Sequence, residues 1–347
     1  MGRNIQLVSL AFILVLLLSF STAVYADRGM IPVRPEVSIY EPGQKAVIAW
    51  NGKEEIMILS TDVFSSEESL VVELLPLPSK PSRVELASFK AFEEIEEIIW
   101  SVGATTYGTR VGLQDKSEVE LVFHEKIGAH DIAIVKAEDS VQLASWIAGF
   151  LQENEIAQEV SLQNFEYVIE DYMARGFRYY VIDRITAYST HKSVEPVLYW
   201  FNTSFLYYPL TITSPVKGNT KITLFLFTKT PVEDEYPPFS LAGYQTPNGW
   251  KPISVWLSNG KLSKIDLRIG ELLKDGAWMS VLTYEGRLNM LTEDLMIVEE
   301  SLASASVPLE MVIALSMIFG AVCTLAIVVV TYLITCSSRS LKFRGKL

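Results

Sequence analysis

Cysteine is scarce in this chain of 347 residues, and its two copies, Cys323 and Cys336, lie close to the C-terminal end. The segment from residue 27 to residue 310 therefore has no thiol. This excludes a disulfide framework, a cysteine nucleophile, a thiolate zinc site and an iron–sulfur cluster there. A segment of this length can bury a substantial hydrophobic core instead. We therefore predict a domain that is stabilised by its core and not by covalent links.

Sequence motifs of common catalytic sites are also missing. The chain contains neither G-x-x-x-x-G-K nor G-x-G-x-x-G, and it lacks the G-x-S-x-G nucleophile elbow and the H-E-x-x-H zinc motif. Its three histidines, His124, His130 and His191, match no standard set of metal ligands. We therefore predict no catalytic, cofactor-binding or metal-binding residue, and no cofactor.

Charged residues are absent from the run Met311–Thr335, which has 25 residues. Because about 20 apolar residues suffice to cross a bilayer, this run predicts a transmembrane helix at residues 311–335. A basic tail follows at residues 336–347, and the positive-inside rule places it in the cytoplasm. The segment 301–310 before the run, rich in serine and alanine, is interpreted as a stalk.

The N-terminal segment, residues 1–26, has the pattern of a secretory signal peptide. Arg3 precedes the apolar run Ile5–Phe20, and Ala26 supplies a small residue at the expected cleavage position. Together with the basic tail, this pattern predicts a single-pass protein of the cell membrane. Its N-terminal domain, residues 27–310, is expected outside the cytoplasm.

The predicted outer part is strongly acidic. It contains 24 basic and all 41 acidic side chains of the chain, which gives a formal charge of −17. Nucleic acids and anionic lipid head groups carry the same sign of charge, so the composition argues against both as partners. A soluble, well-solvated surface explains most of this charge.

Local patterns predict an α+β fold, with mainly antiparallel sheets and a helical insert, plus the C-terminal transmembrane helix. An Asn-Gly pair between two apolar runs predicts a β-hairpin, and on this pattern we predict hairpins at residues 51–52 and 259–260. The insert consists of helices predicted over Val141–Asn154 and Leu162–Arg175. We assign a first α+β part to residues 27–230. A proline-rich loop and a second β/α part follow at residues 231–300.

Three further elements are predicted from apolar spacing and from proline. Ser88 can cap a short helix that buries Phe92 and Ile95 on one face. A strand is predicted over Leu70–Leu75, with its end at a proline, and a helical or mixed region over Leu282–Glu300.

The proline-rich segment between residues 231 and 252 contains the candidate partner-contact residues. Its five prolines disfavour the interior of a sheet, so we interpret it as a surface loop or a boundary. The candidate contact residues are the large aromatic ones, Tyr236, Phe239, Tyr244 and Trp250. A separate sequon, Asn202-Thr203-Ser204, makes Asn202 a candidate glycosylation site.

Several segments resemble the family numbered 2330 of domains of unknown function. They include Tyr40–Ala46, Leu75–Ser79, Asp131–Val135 and Tyr207–Leu210. The resemblance covers approximately residues 27 to 228 and implies an exported, membrane-tethered protein of bacteria or archaea. The family has no established activity, so the resemblance implies no functional residue.

Three functions are compatible with these patterns. The first is a non-enzymatic binding or envelope-interaction module with another envelope or membrane protein as its partner. The second is an envelope hydrolase whose Asp and Glu side chains perform acid–base chemistry, because glycosidase carboxylates leave no short motif. The third is an accessory or solute-binding subunit of a transporter.

Overall fold

A computed structural model describes residues 29–32, 39–40, 43–102, 125–153, 165–189, 192–216 and 218–299. The chain divides into two units, residues 1–299 and 300–347, and every described residue belongs to the first. The predicted signal peptide, stalk, membrane span and tail, and also His124 and His191, lie outside the described residues.

Strands are the commonest regular element of the described chain. In order they are β1 (Gly29–Pro32), β2 (Ile39–Tyr40), β3 (Gln44–Trp50), β4 (Glu54–Ser65), β5 (Ser69–Leu77), β6 (Arg83–Leu86), β7 (Glu125–Ile127), β8 (His130–Lys136), β9 (Tyr179–Ala187), β10 (Lys192–Ser193), β11 (Val197–Asn202), β12 (Leu206–Tyr208), β13 (Asn219–Thr228), β14 (Ser240–Leu241), β15 (Gly243–Thr246), β16 (Gly249–Pro252), β17 (Ser254–Leu257), β18 (Ala277–Arg287) and β19 (Leu295–Ile297).

The helices among the described residues are few and short. They are α1 (Lys90–Ser101), α2 (Ser140–Glu153), α3 (Glu166–Ala174), α4 (Asn259–Ile265) and α5 (Leu267–Leu272), with single 3-10 turns at Thr211–Thr213 and Leu288–Met290.

Two sheets dominate the fold. The first has the order β1-β5-β9-β8-β7, and the second has the order β14-β18-β13-β3-β4-β11-β6, with three further short strands paired to it. Among the described strands all pairs are antiparallel except β3 with β13, which are parallel. In the second sheet, β13 and β18 pair over ten residues, so residues after 230 share a sheet with those before it.

The main hydrophobic core lies between one face of the second sheet and the helices α1, α4 and α5. Apolar side chains spaced three or four residues apart give each helix a buried side. These side chains pack on alternate residues of the strands. The helices contribute Phe92, Ile95, Ile99, Leu262, Ile265, Ile269 and Leu272, and the strands contribute Val47, Ile56, Ile58, Phe225, Phe227, Met279 and Val281.

The predicted fold class is wrong. The described residues form mostly antiparallel and mixed sheets with few helices, and none of the described helices is long and apolar enough to span a membrane. One reason lies in Leu282–Glu300, for which a helical or mixed region was expected. Its first part continues the long strand β18, and its later part contains a 3-10 turn and β19. The helix predicted at residues 311–335 lies outside the described part of the chain.

The first predicted hairpin is confirmed. β3 and β4 pair antiparallel with Trp50 opposite Glu55. The Asn51 side chain closes the turn, because its Oδ1 accepts hydrogen bonds from the backbone N–H groups of Lys53 and Glu54 at 2.9 and 2.8 Å. The helix near Ser88 and both helices of the insert are also confirmed within the described residues.

The second predicted hairpin is wrong. Asn259 begins α4, and β17 pairs with β18 instead of with the residues that follow the Asn-Gly pair. The side-chain amide of Asn259 donates hydrogen bonds to the carbonyls of Gly270 and Leu273, at 2.7 and 3.3 Å. These contacts join the start of α4 to the end of α5. The helical spacing of the apolar residues therefore outweighs the local turn signal.

Candidate interaction surface at a sheet edge

The free side of β18 is covered by two separate short strands. Leu241 of β14 lies opposite Leu282, and Ser254 of β17 lies opposite Ser280. Between these two strands the chain leaves the sheet and forms the hairpin β15–β16, which pairs only with itself among the described residues.

Backbone hydrogen bonds fix the base of this hairpin. The Ala242 N–H donates to the Val281 carbonyl, and the Ile253 N–H donates to the Ala242 carbonyl, both at 2.8 Å. At its tip, the Thr246 hydroxyl donates to the Gly249 carbonyl at 2.7 Å. The hairpin is therefore held at both ends.

Trp250 lies on this hairpin with 54% of its surface exposed. Its indole ring covers Gly243 on the neighbouring strand so closely that a Cβ atom at Gly243 would overlap it. A glycine is therefore required beneath the ring. One side of the ring rests on the backbone, which leaves the rest of its surface toward solvent.

Trp256 has a similar setting on β17, where it is 46% exposed. Its ring makes an edge-to-face contact with Trp278, its cross-strand partner, with centroids 5.8 Å apart and an interplanar angle of 65°. A Cβ atom at Gly276 would come within 2.7 Å of the Trp256 ring. A second tryptophan is thus fixed above a glycine.

Strand alternation directs both tryptophans away from the main core. Ile253, Val255 and Leu257 point toward the hydrophobic core. Because successive residues of a strand point to opposite sides, Trp256 lies on the side away from that core. Trp250 lies on the side of its hairpin opposite to Tyr244, which packs against the same core. We call Trp250, Trp256 and the half-buried Trp278 the tryptophan face.

The four predicted contact residues have different environments. Trp250 is exposed, whereas Tyr236 and Tyr244 are half-buried, and Tyr244 packs against the main core. Phe239 is only 2% exposed and lies edge-to-face with Tyr284 at 6.2 Å. The sequence placed these four together because they share a proline-rich segment, but it does not reveal which of them point inward.

Trp256 and Trp278 were not predicted as contact residues. The Asn-Gly pair after β17 suggested a local hairpin, which concealed the pairing of β17 with β18. The alternation of residues over Ser254–Leu257 could have identified Trp256, because it places this side chain on the side of the strand opposite to Val255 and Leu257.

Asn202 is exposed at the end of β11. Its backbone carbonyl accepts a hydrogen bond from the Ser79 hydroxyl at 2.7 Å, which leaves the side-chain amide outside that contact. Ser204 of the sequon is also exposed. Glycosylation of Asn202 stays a prediction from the sequence.

Substitution of Phe239 by leucine is expected to lower the free energy of unfolding by about 1–2 kcal/mol, because it removes part of a buried aromatic contact. The substitution leaves the tryptophan face intact, so partner binding should stay within about twofold of the wild-type value. Urea denaturation measures the first effect and a binding titration the second. A stable variant with weakened binding would contradict the assignment of Phe239 to the core.

A carboxylate that acts as a general acid or base needs a perturbed pKa and access to the substrate. Glu55 has the clearest perturbation, because complete burial raises its pKa well above the usual value, partly offset by a hydrogen bond from the backbone of Tyr207. Its Oε2 accepts that bond at 2.7 Å. Glu55 is 0% exposed, so it does not reach solvent. No group of three or more potential metal ligands occurs in the described residues.

Comparisons with known proteins yield only distant structural likeness. No family model matches the chain, and no curated protein matches it. The crystal structure of baculovirus P35 is similar with a TM-score of 0.41 and 8% sequence identity, over 76% of this chain and 97% of that chain. The caspase-8/P35 complex gives a TM-score of 0.34 and 8% identity, over 74% and 96%. Likeness at this level establishes no shared function.

Proposed function

We propose that this chain is a non-enzymatic binding module that captures a partner protein through the tryptophan face. The observation that carries the proposal is the pair of tryptophans, 54% and 46% exposed, each seated over a glycine and directed away from the core near the free edge of β18. Tryptophan is enriched among the residues that dominate protein–protein binding energies.

The rigidity of the two rings supports this function. An indole that is already fixed loses little conformational freedom when a partner covers it, so more of the contact energy appears as affinity. Trp250 is held by a hairpin that is bonded at its base and its tip, and Trp256 is held by Trp278.

The burial of Glu55, whose pKa is raised, favours a binding function over the hydrolase alternative. A general acid or base must reach the proton that it transfers. Glu55 accepts a backbone hydrogen bond inside the protein and has no exposed surface. The carboxylates of Glu233, Asp234 and Glu235 are exposed, but exposure alone is typical of a solvated charge run.

We further propose that the module acts outside the cytoplasm, at the cell membrane, with an envelope or membrane protein as its partner. The signal-peptide pattern of residues 1–26 and the basic residues in 336–347 support this placement. A relationship to family 2330 is also proposed from sequence signatures alone. That family has no established activity, so the relationship implies none for this chain.

The function is tested by purification of the tagged full-length protein after mild crosslinking in cells. We expect a stoichiometric partner that is retained by the wild type, and whose affinity falls at least about tenfold when Trp250 and Trp256 are both replaced by alanine.

Trp100 provides the matched control, because it is 57% exposed at the end of α1, on a different part of the domain. Trp100→Ala should keep the partner. Equal loss of the partner in both variants would contradict the proposed surface. A protein recovered without any partner, but active on envelope polymers, would favour the hydrolase alternative.

A further inference from the structure

A buried histidine lies between two carboxylates in the first sheet. His130 begins β8, Asp183 lies on the adjacent strand β9, and Glu73 on β5 is the direct cross-strand neighbour of Asp183. All three residues are buried. None of them belongs to the tryptophan face.

Both ring nitrogens of His130 face hydrogen-bond acceptors. Nδ1 lies 2.6 Å from Asp183 Oδ2, and Nε2 lies 2.7 Å from the Glu195 carbonyl oxygen. A carbonyl oxygen only accepts, so Nε2 must carry a proton. The contact between Nδ1 and Asp183 Oδ2 also needs a proton, which lies either on Nδ1 or on the carboxyl group. Together, His130 and Asp183 therefore hold one proton more than a neutral imidazole and an ionised carboxylate would hold.

The Glu195 carbonyl belongs to the connection that enters the second sheet. Glu195 and Pro196 directly precede β11, and the Pro196 carbonyl accepts a hydrogen bond from Ala87 at the end of β6. His130 thus links β8 of the first sheet to the start of β11 in the second. We call His130, Asp183 and the Glu195 carbonyl the histidine bridge.

We propose that the histidine bridge is a proton-dependent link between the two sheets, which is closed when the pair carries its extra proton and is released when that proton leaves. After deprotonation the ring keeps one N–H. If that N–H stays on Nε2, the Nδ1 lone pair faces the Asp183 carboxylate. If it moves to Nδ1, the Nε2 lone pair faces the Glu195 carbonyl. One of the two contacts is repulsive in either case.

The charged groups around the ring favour the protonated state. Asp183 on β9 and Glu73 on β5 are acidic, and the Glu195 side chain lies over Gly128 in the turn before β8. The ion pair of Arg184 with Asp131 belongs to the opposite side of the sheet, by strand alternation. Burial by itself lowers the pKa of His130, but the carboxylates of Asp183 and Glu73 and the hydrogen bonds outweigh it and raise the pKa above 6.5.

The stability that the histidine bridge contributes is expected to fall as the pH rises. A raised pKa in the folded state means that the bridge contributes its full stability below the unfolded-state pKa of about 6.5. That contribution is lost as the pH rises through the folded-state pKa. Between the unfolded-state pKa and the folded-state pKa of His130, the folding equilibrium constant falls by up to about tenfold per pH unit.

The chain has only three histidines, so nitrogen-resolved NMR of histidine-labelled full-length protein tests the bridge. We expect one imidazole that titrates above 6.5, with both N–H protons protected from solvent exchange. The variants His124→Gln and His191→Gln identify this signal by elimination, so the assignment does not require that His130→Gln folds. A His130 that titrates at or below 6.5 would overturn the proposal.

Release of the link is measured by hydrogen exchange corrected for the intrinsic effect of pH. The peptide that covers residues 195–202 should lose protection above the His130 midpoint in the wild type and in His124→Gln. In His130→Gln, whose amide does not titrate, protection should not change with pH at that midpoint. Parallel curves for the wild type and His130→Gln would mean that His130 has only a structural role.

Discussion

Replacement of Asp294 by alanine is expected to lower the free energy of unfolding by about 3–5 kcal/mol. The side chain of Asp294 has no exposed surface. Its Oδ1 accepts hydrogen bonds from the Tyr172 hydroxyl at 2.6 Å and from the backbone N–H groups of Leu210 and Thr211 at 2.8 and 2.9 Å. Its Oδ2 accepts from Arg175 at 2.8 Å.

The large expected effect arises because alanine leaves several groups without their acceptor. The Arg175 guanidinium stacks on the Tyr172 ring at 4.3 Å and would keep its charge beside a buried aromatic side chain. The Tyr172 hydroxyl and two backbone N–H groups would also lose their partner. Buried donors that lose an acceptor cost about 1–3 kcal/mol each before relaxation. Asp294 therefore joins the segment before β19 to α3 and to the 3-10 turn at Thr211–Thr213.

Asp171 provides the control for this prediction. It pairs with the same Arg175 at 2.8 Å, but its side chain is 53% exposed. Asp171→Ala should therefore cost less than about 1 kcal/mol. Urea denaturation of both variants measures the difference. Similar losses for the two substitutions would contradict the buried role of Asp294.

Replacement of Glu55 by glutamine is expected to remove a pH dependence of stability. Burial raises the pKa of Glu55 well above its usual value, in spite of the hydrogen bond from Tyr207. A carboxyl group with a raised folded-state pKa contributes its full stability below the unfolded-state pKa, and this contribution is lost as the pH rises. The wild type should thus lose up to about 1.4 kcal/mol per pH unit relative to Glu55→Gln above pH 4.3, until the folded-state pKa is reached.

Denaturation curves between pH 4 and pH 9 test this prediction. Glutamine is nearly isosteric and can accept the Tyr207 hydrogen bond through its amide oxygen, so the variant should fold. The exposed Glu93→Gln on α1 is the control and should run parallel to the wild type. A Glu55→Gln curve that also runs parallel to the wild type would show that Glu55 ionises normally in the folded protein.

The parts of the fold that were predictable depend on local patterns that agree with tertiary packing. At Asn51-Gly52, the turn signal and the alternation of both flanking runs specify the same hairpin. In α1, the spacing of Phe92, Ile95 and Ile99 leaves one apolar side, which the second sheet covers.

Elsewhere, long-range pairing decided the structure. Pro76 was expected to end a strand, yet it lies within β5, opposite Tyr180 of β9. The neighbour on the other side, β1, reaches only Val71–Leu74, so no strand there requires the N–H that proline lacks. The arrangement of neighbouring strands is not visible in the local sequence around Pro76.

The candidate surface was predictable only in part, for a similar reason. An aromatic cluster in a proline-rich segment correctly drew attention to Trp250, but Phe239 in the same segment is a core residue. Trp256 joins the surface only because β17 pairs with β18, and that pair spans about twenty residues of intervening helices and turns. The buried carboxylates beside His130 likewise come from two strands, β5 and β9, that are distant from it in sequence.

The most direct test of the proposed function is photo-crosslinking in living cells from a single reactive amino acid at position 250 of the full-length protein. The proposal predicts a crosslink from position 250 to one partner protein, with loss of that crosslink when Trp256 is also replaced by alanine. The same reagent at position 100 should give no such product. A partner that crosslinks equally well from positions 250 and 100, or that is unaffected by Trp256→Ala, would contradict the tryptophan face as the binding surface.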